Sequence, residues 1–156
     1  MPPSERKLNV LNEGDHPFLL GMPKEFLEVA TEHGTEIELE AEEMLFREGE
    51  AAERFYLILS GKVALEISAA DHPRITVETV GTGEVLGWSW LISPRRWTLD
   101  ARTVKPTRLI ALNAPDLQRY FSQHPELGYR FLLRLLPVIA ERLDATRIQL
   151  VDIHGA

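Results

Sequence analysis

From residue 35 onward the chain reads as a series of short strands punctuated by turn residues at nearly even intervals. No other feature restricts the fold as much. Ile37 and Leu39 alternate with Glu36, Glu38 and Glu40, a period of two that puts apolar side chains on one face and carboxylates on the other. Met44, Leu45 and Phe46 make a short apolar step before the turn Arg47-Glu48-Gly49-Glu50. Residues 55–59 and 63–67 read as two strands joined by a tight turn at Ser60-Gly61-Lys62. A further strand, 75–80, follows a turn at Ala70-Asp71-His72-Pro73. Residues 99–104 and 107–112 complete the set, broken by Pro106. About eight short strands at this spacing predict a mainly β fold with flanking helices, a double-stranded β-helix or jelly roll.

The helical signals lie at the two ends. Residues 1–22 are polar and proline-bearing and are expected to form a loosely held arm, with Phe18, Leu19 and Leu20 docking it on the body. Pro23 suits a helix start, Phe26, Leu27 and Ala30 give an inner face, and Gly34 is a natural stop. Asn113 is placed to cap a short helix over 114–122. Pro125 opens a long C-terminal helix, 125–154, with apolar positions at Leu132, Leu135, Ile139, Leu143, Leu150 and Ile153. The series Leu143, Thr146, Leu150, Ile153 has coiled-coil spacing, which predicts a homodimer through this helix. Pro137 lies inside it, and a kink is expected there. The expected organisation is an arm, 1–22, and one domain, 23–154, that includes the long helix.

Charge and residue types narrow the function. With 17 Lys and Arg against 24 Asp and Glu, the formal net charge is -7. A nucleic-acid partner needs a basic face, and the sequence shows no such stripe, so no direct contact with nucleic acid is expected. There is no cysteine, which excludes disulfides, thiol catalysis and cysteine metal sites. The N-terminus lacks the apolar run of a signal peptide, and no stretch approaches the roughly 18 apolar residues of a membrane span. A cytoplasmic protein away from the membrane is the expectation. His16, His33, His72, His124 and His154 do not pair at ligand spacing, so a jelly-roll metalloenzyme is not expected. The serines suggest no nucleophile–base pair. The chain therefore reads as non-catalytic, with no metal and no cofactor.

The chemistry-bearing stretch is 83–103, GEVLGWSWLISPRRWTLDART. Gly83 and Gly87 allow positive φ or a close backbone approach. A short turn after Gly87 would aim several N–H groups at one point, an arrangement that suits an anion. Arg95 and Arg96 offer positive charge, and Trp88, Trp90 and Trp97 could wall a flat apolar space.

With strands, glycines and final helix placed, the chain resembles the cyclic nucleotide-binding domain family of catabolite activator type. Arg47-Glu48-Gly49-Glu50 is similar to the family's first glycine turn. Residues 57–63, LILSGKV, look like its next hairpin, and 83–87, GEVLG, like the opening of its phosphate-binding cassette. The resemblance implies a ligand held between the cassette and the last helix. It carries Gly87 to a backbone contact with the ligand, and Trp88 and Ser89 to the cassette that follows. It carries Thr98 to a hydroxyl position beside the cyclic phosphate and Thr146 to the helix position that reaches the base.

The sequence departs from the family pattern at two anchors. Trp88 stands where the family has a ribose-binding Glu. The phosphate-binding Arg is replaced by Trp97 if Thr98 is the hydroxyl, with Arg96 next door. In the other register Arg95 takes the Arg position and the hydroxyl is lost. Both registers are open. A charge-assisted bond contributes about 1.5–3 kcal/mol. Losing both anchors would weaken binding of cyclic AMP or cyclic GMP by roughly two to four orders of magnitude. The expected ligand is thus a cyclic nucleotide held differently, or another anionic or aromatic small molecule. The family's regulators continue into a DNA-reading segment after the last helix; here only Gly155 and Ala156 follow, and no DNA-binding domain is expected. The resulting expectation is a small-molecule sensor that signals through a protein partner. The alternative is an interaction or assembly protein that keeps the fold without the ligand.

Overall fold

The computed structural model of the chain describes residues 3–154, apart from the side chains of 69, 146 and 149–154. Two compact units are distinguished, Met1–Gln118 and Arg119–Ala156.

The first unit is a mainly antiparallel β structure. Its strands are β1 (Ser4–Lys7), β2 (Gly34–Leu39), β3 (Met44–Phe46), β4 (Arg54–Ala69), β5 (His72–Gly81), β6 (Val85–Leu86) and β7 (Asp100–Asn113). The path β1-β2-β7-β4-β5 is hydrogen-bonded throughout, β3 pairs with β7, and β6 pairs with β4. The alternation in β2 separates the faces as its sequence demands. Ile37 and Leu39 are buried, whereas Glu36 and Glu38 face arginines, with Arg108 Nη2 at 2.6 Å and Arg6 Nε at 3.0 Å from Glu36.

Two expected breaks are continuous strands. Residues 54–69 form one 16-residue strand, with no hairpin at Ser60-Gly61-Lys62. Residues 100–113 likewise run through Pro106 without interruption. The reason is a bulge that both breakers share. Ser60 pairs with Arg108 and Lys62 with Lys105, so Gly61 alone opposes Pro106 and Thr107. Proline is tolerated there because a bulge position owes no ladder bond. Gly61 has φ +120°, and a Cβ built on it would lie 2.7 Å from the Thr107 Cα. The glycine thus marks a close crossing of two strands.

The N-terminal segment is tied down more firmly than an arm of its composition suggests. β1 pairs with β2 over four residues, and Arg54 Nη1 lies 3.0 Å from Glu5 Oε1. Leu11 is buried, and its N–H donates to Thr31 Oγ1 at 2.9 Å. Phe18 and Leu19 are buried as expected, while Leu20 is exposed. Helix α1 (Lys24–Glu32) follows Pro23 at its N-cap and buries Phe26, Leu27 and Ala30. Asn113 Oδ1 accepts the Asp116 N–H at 3.0 Å and caps α2 (Ala114–Gln123).

In the second unit, the end of α2 packs on α3 (Pro125–His154), with Phe121 and Phe131 ring centroids 5.1 Å apart. Gly128 permits this approach: a Cβ there would meet the Phe121 Cβ at 3.0 Å. Pro137 lies within α3. Of the apolar series read from the sequence, Leu135 is buried, whereas Leu132 and Leu143 are exposed, as are Tyr129, Leu133 and Leu136. The side chains of Leu150 and Ile153 lie outside the described residues.

Candidate ligand cassette

The cassette begins where β5 ends. Gly83, at φ +83°, donates its N–H to the Ile58 carbonyl at 3.0 Å, and the Ile58 N–H returns a 3.0 Å bond to the Glu84 carbonyl. β6 then pairs Val85 with Leu57 and Leu86 with Tyr56. Behind this junction sits His16, 2% exposed. Its Nδ1 accepts the Phe18 N–H at 3.0 Å, which leaves Nε2 to donate to the Glu84 carbonyl at 3.2 Å. Burial holds its pKa below the ordinary value, only partly offset by the Glu84 and Ile58 carbonyls. The N-terminal segment and the cassette thus share one buried anchor.

Gly87 turns the chain at φ +89° into a single 3-10 turn, Ser89–Leu91. Trp90 is core: it is 1% exposed, lies 5.9 Å from Phe55 between ring centroids, and donates its indole N–H to the Gly87 carbonyl at 2.8 Å. Gln118 Nε2 in turn bonds the Trp90 carbonyl at 3.0 Å. Trp88 and Ser89 are half-buried.

The chain returns along the Arg47–Glu50 turn. Gly49 N–H donates to the Trp97 carbonyl at 2.8 Å, Trp97 N–H to the Glu50 carbonyl at 2.9 Å, and Ala52 N–H to the Arg95 carbonyl at 2.9 Å. Arg95 adopts φ +60°, a costly conformation for a side chain with a Cβ, and is exposed. Arg96 is also exposed and donates Nη1 to the Gly49 carbonyl at 2.8 Å. Thr98 is exposed too.

Trp97 departs most from the expected picture of an aromatic wall. Its indole is 5% exposed and stacked on Phe46, with centroids 3.8 Å apart and planes at 10°. Tyr56 lies 6.2 Å away, and burial pushes its hydroxyl pKa up to about 12. The far edge of the indole covers the Cα of Gly87: a Cβ there would sit 2.7 Å from the Trp97 Cη2. Gly87 and Trp97, both singled out from the sequence, are therefore in contact. Arg95 and Arg96 flank Trp97 on the same segment but are exposed. Thr146 belongs to α3, and its side chain lies outside the described residues. Phe46 and Tyr56, which complete the aromatic stack, carry no local motif in the sequence beyond strand core, because they meet the indole from other strands.

Comparison with known proteins bears on this arrangement. A profile of the cyclic nucleotide-binding domain matches residues 36–124, more than half of the chain. The chain belongs to the cyclic nucleotide-binding domain family. It is 29% identical over 109 residues to the CRP-like cAMP-activated global transcriptional regulator of Mycobacterium tuberculosis, covering 70% of this chain and 47% of that protein. The cyclic AMP receptor protein of Thermus thermophilus is 30% identical over 101 residues, covering 65% of this chain and 41% of that one. This family member thus spans about half the length of the curated relatives it matches. Among solved structures, a cyclic nucleotide-binding domain from Methylobacillus flagellatus superposes with a TM-score of 0.73 at 21% identity, covering 84% of this chain and 74% of that one. At that identity the likeness speaks for the fold. Family membership supports a regulatory ligand-binding role and carries no indication of catalysis. Among the described residues no cluster of metal-ligating groups is found, and no helix is long and apolar enough to cross a membrane.

Proposed function

We propose that this chain is a non-catalytic regulatory module that senses a small molecule at the cassette formed by Gly87, Trp88, Ser89, Arg95, Arg96, Trp97 and Thr98. The ligand preference differs from that of a cyclic nucleotide gripped by an arginine. The observation that carries this reading is Trp97. In one of the two registers its indole takes the place of the phosphate-binding Arg, and it packs on the cassette glycine while Arg96 is turned to the Gly49 carbonyl. A cyclic phosphate in that space would meet an aromatic edge in place of a fixed cation, and would forgo a charge-assisted pair of about 1.5–3 kcal/mol. Ligands that stack on the half-buried Trp88 indole, or anions drawn by the exposed Arg95, fit the cassette better.

Transmission runs through α3. Its exposed residues Tyr129, Leu132, Leu136 and Leu143 recur at steps of three, four and seven, the spacing of a helical seam. We place a second copy of the chain on that seam, and a protein partner that responds to the paired helices in the cytoplasm. A ligand shifts such an arrangement only by binding one of its states better than the other. Titration calorimetry against cyclic AMP, cyclic GMP and a panel of other nucleotides and small anions tests the proposal. Saturable heat from a member other than the two cyclic nucleotides is expected; the absence of heat from all of them overturns it.

The second reading is an interaction or assembly protein that has kept the fold without the ligand. The same indole favours it, since Trp97 fills space over Gly87 with a side chain of the protein itself. On this reading no panel member raises the melting temperature, while the α3 seam still assembles.

A further inference from the structure

A buried set of charges lies beside the cassette, outside the residues proposed to meet a ligand. Glu66 on β4 and Asp100 on β7 are 2% and 5% exposed. Buried carboxylates persist only when paired. Glu66 is gripped by Arg102 through two bonds, Nε to Oε1 at 3.0 Å and Nη2 to Oε2 at 2.9 Å, and receives the Thr76 hydroxyl at 3.4 Å. Arg102 also reaches Glu42 at 2.6 Å. Arg74 on β5 places one nitrogen 3.2 Å from Asp100 Oδ2 and 3.4 Å from Glu66 Oε1. The other oxygen of Asp100, Oδ1, accepts the Glu48 N–H at 2.8 Å.

That last bond links the charges to the cassette. Glu48 belongs to the Arg47–Glu50 turn, which holds Trp97 through Gly49 N–H and the Glu50 carbonyl. The turn therefore hangs on Asp100 on one side and carries Trp97 on the other. Glu66 keeps its bidentate partner if Arg74 is removed, whereas Asp100 loses a charge partner. The consequence of removing Arg74 falls on Asp100, and through it on the turn.

We propose that Arg74 and Asp100 are positioning residues for the cassette: they hold the Arg47–Glu50 turn so that the Trp97 indole stays seated over Gly87. This rests on the reading of 83–103 as the ligand cassette, and makes the pair the element that sets how readily Gly87 is uncovered. The Arg74 side chain is 37% exposed, so truncating it opens no core cavity.

The test is amide hydrogen exchange on the full chain, comparing wild type with Arg74→Ala, Arg74→Lys and Asp100→Asn. The expected result is exchange about tenfold faster at Glu48, Gly49 and Trp97 in Arg74→Ala, the scale of one charge-assisted contact. The amides of Leu57 and Ile110, paired at the centre of β4 and β7, keep their wild-type rates. Arg74→Lys restores part of the protection, because an ammonium supplies charge to Asp100. Asp100→Asn reproduces the local loss and serves if Arg74→Ala does not fold. Unchanged rates at Glu48, Gly49 and Trp97 overturn the proposal, and so does uniform acceleration that includes Leu57 and Ile110. Calorimetry of the same proteins with the nucleotide and anion panel separates the two readings. No heat from any panel member, with the local exchange response present, ends the sensor reading and leaves the positioning role standing.

Discussion

At the scale of the single residue, Gly87 and His16 show how tightly the cassette is specified. Gly87 needs its hydrogen side chain twice, once for φ +89° and once for the Trp97 edge over its Cα. Gly87→Ala combines a left-handed backbone penalty with overpacking, and a loss of about 1–3 kcal/mol is expected in urea denaturation. His16 contributes a pH dependence. It is buried neutral, with Nδ1 already accepting a hydrogen bond, so protonation breaks the Phe18 contact. Its folded-state pKa lies below the ordinary 6.5, so the unfolded chain takes up the proton first as pH falls. The contribution of His16 is complete above 6.5 and is lost as pH drops below it towards the depressed folded value. Denaturation midpoints measured between neutral and mildly acid pH should fall in the wild type and fall less in His16→Gln. Glu66 acts in the same direction at lower pH, because the Arg102 guanidinium holds its pKa down despite burial, and its share disappears as the carboxylate protonates.

At the scale of the element, the α3 seam makes the clearest prediction. Replacing Leu136 and Leu143 by glutamate puts charge at two exposed apolar positions and leaves the buried Leu135 untouched. Light scattering should report a mass that falls from twice to once the 17.7 kDa of the chain. A wild type that runs as a single chain contradicts the seam. The elements also show what the sequence makes legible. α1, α2 and α3 announce themselves through Pro23, Asn113 and Pro125, because caps are local chemistry. β4 and β7 do not, because Gly61 and Pro106 look like breaks when each is read alone. They become continuous only when set opposite one another in a bulge, a non-local fact. β1 is hidden for a similar reason: Ser4–Lys7 has no apolar alternation, and its place is set by a ladder with β2 and ion pairs to β2 and Arg54. In the cassette, the contact of Gly87 with Trp97 joins residues that the sequence had singled out. The Phe46 stack and the Asp100 anchor to Glu48 lie far along the chain and carry no motif.

At the scale of the whole molecule, the fold is that of the cyclic nucleotide-binding family, and in the cassette the Trp97 indole stacks on Phe46 and covers Gly87. The fold survives because the roll is held by long paired strands and a buried aromatic and aliphatic core, none of which depends on what the cassette binds. We propose that, with Trp97 seated over Gly87, the ligand preference differs from that of a cyclic nucleotide gripped by an arginine. Titration of the wild-type chain with cyclic AMP measures it directly. No saturation is expected below about millimolar concentration, because a charge-assisted anchor is absent from the seat that Trp97 fills. Saturation at about micromolar cyclic AMP, with an indole still seated over Gly87, would contradict it.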